Sequence, residues 1–346
     1  MTLLSVIGAL IVLGFVATFA GLSTWVERKV SARIQSRHGP MYAGPQGILQ
    51  FAVDGVKLLF KEDIIPAAAD RILFSIAPYI VFMSAFAMFA ALPWSRGLTC
   101  ADLNIGVVYV IAVGGGGVIG ILMAGWSSGN KYALFGAMRA AAQIVSYEVP
   151  AAIVLLTVVM IAGSLGMQDI VKSQEGGVHH WMIFQYFPFN AIGFILYYIC
   201  ALAETNRTPF DIPEAESELV AGYHVEYSGM RFSVFFMGEY AAMFATSAIA
   251  TTLFLGGWQP PYPGLFLPDA LGVLEGLVWF MLKALTLVLV MIIIRWTVPR
   301  FRVDQLMNLC WKVLLPVALF DMMAVGTWMS LEMGLVDFLR AATQGA

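Results

Sequence analysis

The chain has 346 residues, 60% hydrophobic and only 12% charged, with a mean hydropathy of +0.82. Soluble domains carry about 25% charged residues, so the composition excludes that class and indicates a polytopic membrane protein built as one helical bundle. The net charge of −3 carries no information about partners; the placement of the charges along the chain does.

Eight apolar segments reach the roughly 20 residues that a membrane span requires. They fall near 3–25, 72–94, 105–126, 148–167, 183–203, 232–255, 276–294 and 313–331. The first lacks a basic flank and reads as a retained span, not a cleaved signal. Fifteen Lys and Arg lie in the loops 26–71, 127–147, 204–231 and 295–312. The opposite side has Arg96, Lys172 and Arg340, and Lys283 falls within the seventh segment. The positive-inside bias puts those four loops on the inner side and both termini on the outer face. The expected fold is an all-α polytopic membrane protein: one bundle over 1–346, about eight transmembrane helices, and an interfacial helix in the first inner loop. No internal repeat is visible, which weighs against an inverted-repeat transporter.

Where the first span ends, Glu27, Arg28, Lys29, Arg33 and Arg37 cluster. They read either as a positive-inside anchor or as the rim of a cavity or docking face. Gly39-Pro40, Gly44-Pro45 and Gly47 then punctuate the loop. After them Gln50, Asp54, Lys57 and Lys61 recur at spacings of 4, 3 and 4, giving one polar helical face opposite an apolar one. This predicts an amphipathic helix in the plane of the interface, either a plain anchor or part of a site.

The third span contains Gly114 to Gly117 and Gly120. Glycines there serve close packing or mark a local break near a proton path. Glu148 opens the fourth span, and Glu239, Lys283 and Asp321 sit within the sixth, seventh and eighth. An ionisable group inside a membrane is paired, snorkelling or functional, and several in one bundle favour a relay. Trp94, Trp126, Trp181 and Trp258 fall at span ends and read as interface anchors.

The most informative stretch is 204–226, which holds Glu204, Asp211, Glu214, Glu216, Glu218 and Glu226 between two spans. Pro209 and Pro213 break the helix there, and broken backbone at membrane depth needs a protein-lined or water-filled cavity. Glu214, Glu216 and Glu218 cannot all stay ionised so close together out of bulk water, so at least one pKa is expected above the usual carboxylate range. Arg207 offers a positive partner. The stretch reads as the acidic wall of an intramembrane cavity; a solvated acidic loop is the plainer alternative.

Cys100, Cys200 and Cys310 are too dispersed to hold an iron–sulfur cluster and read as packed apolar residues. Adjacent His179 and His180 have poor chelate geometry, so no metal site is expected. No nucleophile triad, phosphate loop or nucleic-acid site is present. The residues supply proton carriers without a redox centre.

The run E-T-N-R-T-P-F-D-x-x-E-x-E-S-E-L-V-x-G-x-x-x-E-Y at 204–227 resembles the signature of the NuoH family, the quinone-chamber membrane component of respiratory complex I. Four more stretches are similar to the same family: E-R-K-x-x-A-R-I-Q-x-R-x-G-P with G-P-x-G-x-L-Q-x-x-x-D-G-x-K (27–57), K-Y-A-x-x-G-x-M-R-A-x-A-Q-x-x-S-Y-E (131–148), G-E-Y (238–240) and R-x-x-x-P-R-x-R-x-D-Q-L-M (295–307).

The resemblance implies a subunit of proton-translocating NADH:quinone oxidoreductase that forms the quinone-access tunnel and an acidic proton relay. It implies that Arg28, Arg37, Asp54 and Lys57 belong to the quinone tunnel. It implies that Glu204, Arg207, Asp211, Glu214, Glu216 and Glu218 line the junction, with Glu226, Glu239 and Glu148 continuing the relay. Ubiquinone or menaquinone would be the substrate, with FMN and iron–sulfur clusters held by partner subunits. The hydrophilic quinone-site subunits, neighbouring membrane subunits and lipid would be the partners. The location implied is the bacterial inner membrane, ahead of the mitochondrial one. Competing readings are the homologous membrane component of a membrane-bound hydrogenase, a stand-alone ion-coupled transporter, and a structural anchor for a redox arm.

Overall fold

The computed structural model describes residues 2–213, 219–262 and 272–344, and these form an all-α bundle with one two-stranded turn. With no water available in lipid, each backbone amide is satisfied within its own segment, and the apolar runs become helices. In chain order they are α1 Thr2–Ile34, α2 Gln50–Phe60, α3 Arg71–Met88, α4 Gly106–Gly114, α5 Gly116–Ser127, α6 Lys131–Ala162, α7 Met167–Lys172 and α8 Phe189–Glu204. There follow α9 Gly229–Phe254, α10 Gly272–Thr297, α11 Val303–Leu309, a π-helical turn Cys310–Leu314, and α12 Leu315–Gln344. Strands β1 Pro93–Ser95 and β2 Leu98–Thr99 pair antiparallel after α3.

Side chains fix several ends. Asp70 caps α3, its Oδ1 accepting from the Ile72 and Leu73 amides. Asn130 caps α6 by accepting from the Tyr132 amide at 2.9 Å. Gly163 closes α6 in the left-handed conformation (φ 67°), which glycine adopts without a Cβ clash.

Helix α9 is the most buried of the long apolar helices and is the axis of the bundle. Its Phe244 is fully buried and stacks on Phe89 with ring centroids 5.8 Å apart and planes 5° apart. Trp94 covers the same Phe244 ring and meets Phe280 of α10 edge-on. Phe15 and Phe19 of α1 also meet that ring. Residues of α1, β1, α10 and the turn after α3 thereby converge on one aromatic cluster at α9.

Several expectations are corrected. Among the described residues seven helices are long and apolar enough to span a membrane, and one of the eight expected spans is a shorter apolar helix. The segment expected at 183–203 is α8, whose 16 residues rise only about 24 Å. The region 127–147 is not a loop: α6 already begins at Lys131, because an Ala-rich stretch with spaced polar residues continues a helix readily. Part of 295–312 is likewise helical, as α11 and the π turn. Trp94 and Trp258 are core residues, 7% and 5% exposed, while Trp126 is exposed. Helix α2 does not present one clean polar face outward. Asp54, Phe51 and Leu58 line a cavity, while Val53, Val56 and Phe60 are exposed together with Lys57.

Helices α5 and α6 meet across small residues. A Cβ on Gly125 would run into the Ala137 Cβ and stand 2.7 Å from the Ala133 carbonyl oxygen. Overpacking of this kind costs about 1–3 kcal/mol. Gly125→Leu is expected to lower the thermal midpoint of the detergent-purified protein by several degrees. Gly14→Ala, where nothing lies within 4 Å, is expected to leave it unchanged.

Candidate functional site: a cavity and a line of buried acids

Glu27 is the anchor of the site. It ends an apolar run on α1 and is 6% exposed. Its Oε2 accepts from Arg207 Nη1 at 2.8 Å and from the Tyr240 hydroxyl at 2.7 Å, and its Oε1 accepts from Arg295 Nη1 at 2.5 Å. Arg207 is 4% exposed, and its guanidinium stacks over the Tyr240 ring at 4.4 Å. Burial opposes the charge on Arg207, but Glu27 foremost, then Tyr240 and Glu239, push its pKa upward, so it stays cationic. Charges removed from water require this pairing. The node ties α1, α9, α10 and the segment after α8 together.

Beside the node lies a cavity of about 590 Å³ between α1, α2, α9 and α10. Its walls include Ala20, Phe51, Leu58, Phe236, Met237 and Trp296, with Glu27, Arg28, Asp54, Tyr240 and Arg295 as the charged and polar groups. Arg28 Nη1 donates to Asp54 Oδ2 at 2.6 Å, and Gln50 Nε2 donates to Asp54 Oδ1 at 3.1 Å. An apolar enclosure of roughly 300–1,000 Å³ with a few convergent polar groups is the form of a small-molecule site.

Three further acids form a line through the bundle. Glu239 of α9 and Glu204 at the end of α8 border one cavity of about 50 Å³. Glu204 and Glu148 of α6 border another of about 30 Å³. Either can hold water, for which about 10–15 Å³ suffices. Glu239 Oε1 accepts from the Tyr223 hydroxyl at 3.1 Å and lies 3.3 Å from His224 Nε2. Glu148 Oε1 is buried with no hydrogen-bond partner among the described residues.

The glycine run makes room for this line. A Cβ on Gly114 would stand 3.1 Å from Glu204 Oε1, and one on Gly115 would stand 3.1 Å from Glu148 Oε1. The same glycines separate α4 from α5. Ser84 of α3 donates to the Val113 carbonyl at 2.6 Å and lies 3.2 Å from that of Gly114, so the break is satisfied within the protein.

The residues expected at the site divide accordingly. Arg28 and Asp54 meet on the cavity wall, whereas Arg37 and Lys57 are exposed and do not line it. Arg37 Nε donates to Gln35 Oε1. Arg207 joins the node at Glu27, and Asp211 Oδ2 accepts from Arg300 Nη2 at 2.9 Å. Glu226 accepts from Asn130 Nδ2 at 2.7 Å, which ties it to the start of α6, and it borders none of the three cavities. Glu214, Glu216 and Glu218 lie outside the described residues. Sequence reasoning counts Glu27 only among the charges flanking span one, holds Tyr240 and Arg295 only as motif positions without a role, and overlooks His224 and Ser84. An acid closing a long apolar run is the available signal for Glu27. The others become visible only through packing.

Bundle, cavity and buried acids together describe an all-α polytopic membrane protein with ionisable groups held inside it. The chain belongs to the NADH dehydrogenase family, which matches residues 7–326. It is 50% identical over 330 residues to the H subunit of NADH-quinone oxidoreductase from Chlorobaculum tepidum, covering 93% of this chain and 92% of that one. It is 47% identical to the protein of the same name from Brevibacillus brevis, covering 96% of both chains. The like-named protein of Anaeromyxobacter dehalogenans is 47% identical, with coverage of 92% and 80%.

The node and the Arg28–Asp54 pair differ in burial, and that difference can be measured. Removing one partner of a buried ion pair costs about 3–5 kcal/mol, whereas an exposed pair contributes about 0–1 kcal/mol. Glu27→Gln is expected to cause a large fall in thermal midpoint or loss of the protein from the membrane. Arg28→Gln, at a side chain 52% exposed, is expected to shift the midpoint little.

Proposed function

We propose that this chain is the membrane subunit of a proton-translocating NADH:quinone oxidoreductase. In this reading the 590 Å³ cavity receives quinone and the Glu239–Glu204–Glu148 line carries protons. Family membership and the names of its relatives support the class. One observation carries the mechanism: residues 204–211 touch both features. Glu204 borders both small cavities, Arg207 three residues on binds the node on the large cavity's wall, and Asp211 is held by Arg300.

Quinone reduction takes up two electrons and two protons per molecule, giving quinol. The electrons come from flavin and iron–sulfur clusters in partner subunits. The apolar walls suit an isoprenoid tail, and Arg28, Asp54 and Tyr240 supply polar groups toward the headgroup. Negative charge arriving on quinone attracts Arg207 and Arg295, weakens their hold on Glu27, and moves the segment that also positions Glu204. Proton affinity along the line then shifts with the redox step. Glu214, Glu216 and Glu218 belong to the same proposal as further proton carriers of the segment that begins at Glu204. The Lys and Arg asymmetry favours a cavity mouth on the inner face of a bacterial membrane, with both termini on the outer face. The chain acts as one bundle, with partners on that inner face and beside it in the membrane.

Asp54→Asn and Glu204→Gln in the intact enzyme test this reading. NADH oxidation by a water-soluble acceptor should be unchanged in both, since that reaction bypasses the membrane. Asp54→Asn is expected to lower quinone reduction at least several-fold. Glu204→Gln is expected to reduce proton pumping in vesicles about tenfold or more. Normal quinone reduction and normal pumping in both variants would remove the proposal.

A further inference from the structure

Asp321 stands apart from the node and from the line of acids. It lies on α12 and is 1% exposed, and neither carboxyl oxygen has a hydrogen-bond partner among the described residues. Gly193 of α8 makes the space for it: a Cβ there would stand 3.1 Å from Asp321 Oδ2 and 3.5 Å from Val154 Cγ1 of α6. A fully enclosed carboxyl group thus sits against Gly193, with Val154 bordering the same space.

Among the described residues, the ionisable groups on the elements packed around it are engaged elsewhere or distant, and Thr157 of α6 donates to the Ile153 carbonyl. On α8, the Tyr197 hydroxyl donates to the Thr246 carbonyl and the Tyr198 hydroxyl to the Leu287 carbonyl. Cys200 is buried and Glu204 borders its own two cavities. On α6, the Tyr147 hydroxyl donates to the Leu306 carbonyl, and Glu148 faces Gly115. Arg139 stands fifteen residues before Val154, about 22 Å along the helix, and Lys131 is farther still. On the π turn, Cys310 donates to the Ser146 carbonyl and Lys312 is exposed. On α12, Glu332 accepts from Tyr186 and Trp328.

An isolated carboxylate in such surroundings is strongly disfavoured, and the group neutralises by taking a proton. We propose that Asp321 is a proton-binding site of the bundle, separate from the line of acids, which carries its proton at rest. Its neighbour Val154 lies six residues beyond Glu148, about 9 Å further along α6 toward Ala162. Asp321 therefore gives the bundle a protonatable group nearer the Ala162 end of α6 than Glu148.

The inference does not rest on the quinone reading, and its test needs no turnover. Infrared spectra of the intact complex, recorded in H2O and D2O, are compared for wild type, Asp321→Asn and Asp321→Leu. The expected result is loss of one carboxylic-acid C=O band in both variants, with normal assembly of at least Asp321→Asn, since no counter-charge is orphaned. An unchanged acid band, or loss of a carboxylate band in its place, would overturn it. Either outcome leaves the proposed role of Glu204 untouched.

Discussion

A buried arginine holds the bundle to a single arrangement. Arg207 is on an irregular segment between two apolar helices, where an unpaired cation would be untenable. Its carboxylate partner is Glu27, 180 residues earlier in the chain, with Tyr240 and Arg295 completing the surround. Because Glu27 is on α1, Tyr240 on α9 and Arg295 on α10, satisfying one charge fixes three helices and the segment after α8. The large cavity is what remains beside that fixed point, with α2 as its remaining wall.

The second constraint is geometric. Carboxyl groups inside an apolar bundle need space, and three glycines supply it. Gly114 and Gly115 admit Glu204 and Glu148, and Gly193 admits Asp321. The first two also interrupt a span, and the Val113 carbonyl at the break is taken by the Ser84 hydroxyl. A run that looks costly by helix propensity, about 1 kcal/mol per glycine, is explained by what it leaves room for.

Much of this is legible in the sequence because lipid imposes simple rules. Long apolar runs, charge asymmetry and acids beside spans indicate the fold class and point to Glu148, Glu204 and Glu239, while Arg28 with Asp54 comes from the family resemblance. The failures have physical causes. Charged residues at 131–147 suggest a loop, but Lys131, Arg139 and Gln143 are compatible with an Ala-rich helix. The spacing of Gln50, Asp54, Lys57 and Lys61 describes a face without saying what lies opposite, so of the two α2 residues expected at a site, Asp54 and Lys57, only Asp54 reaches the cavity. Ser84 carries no charge and leaves no signal, and Tyr240 shows only as the end of the G-E-Y motif, without a role. Their importance comes from which helix each happens to meet.

Glu239 and Tyr240 are consecutive on α9, and their side chains point about 100° apart. The first borders the small cavity with Glu204, and the second borders the large one with Glu27. Any roll of α9 about its long axis must turn both at once, in the same sense. The helix works as a common axle: one side cannot be reset while the other stays still.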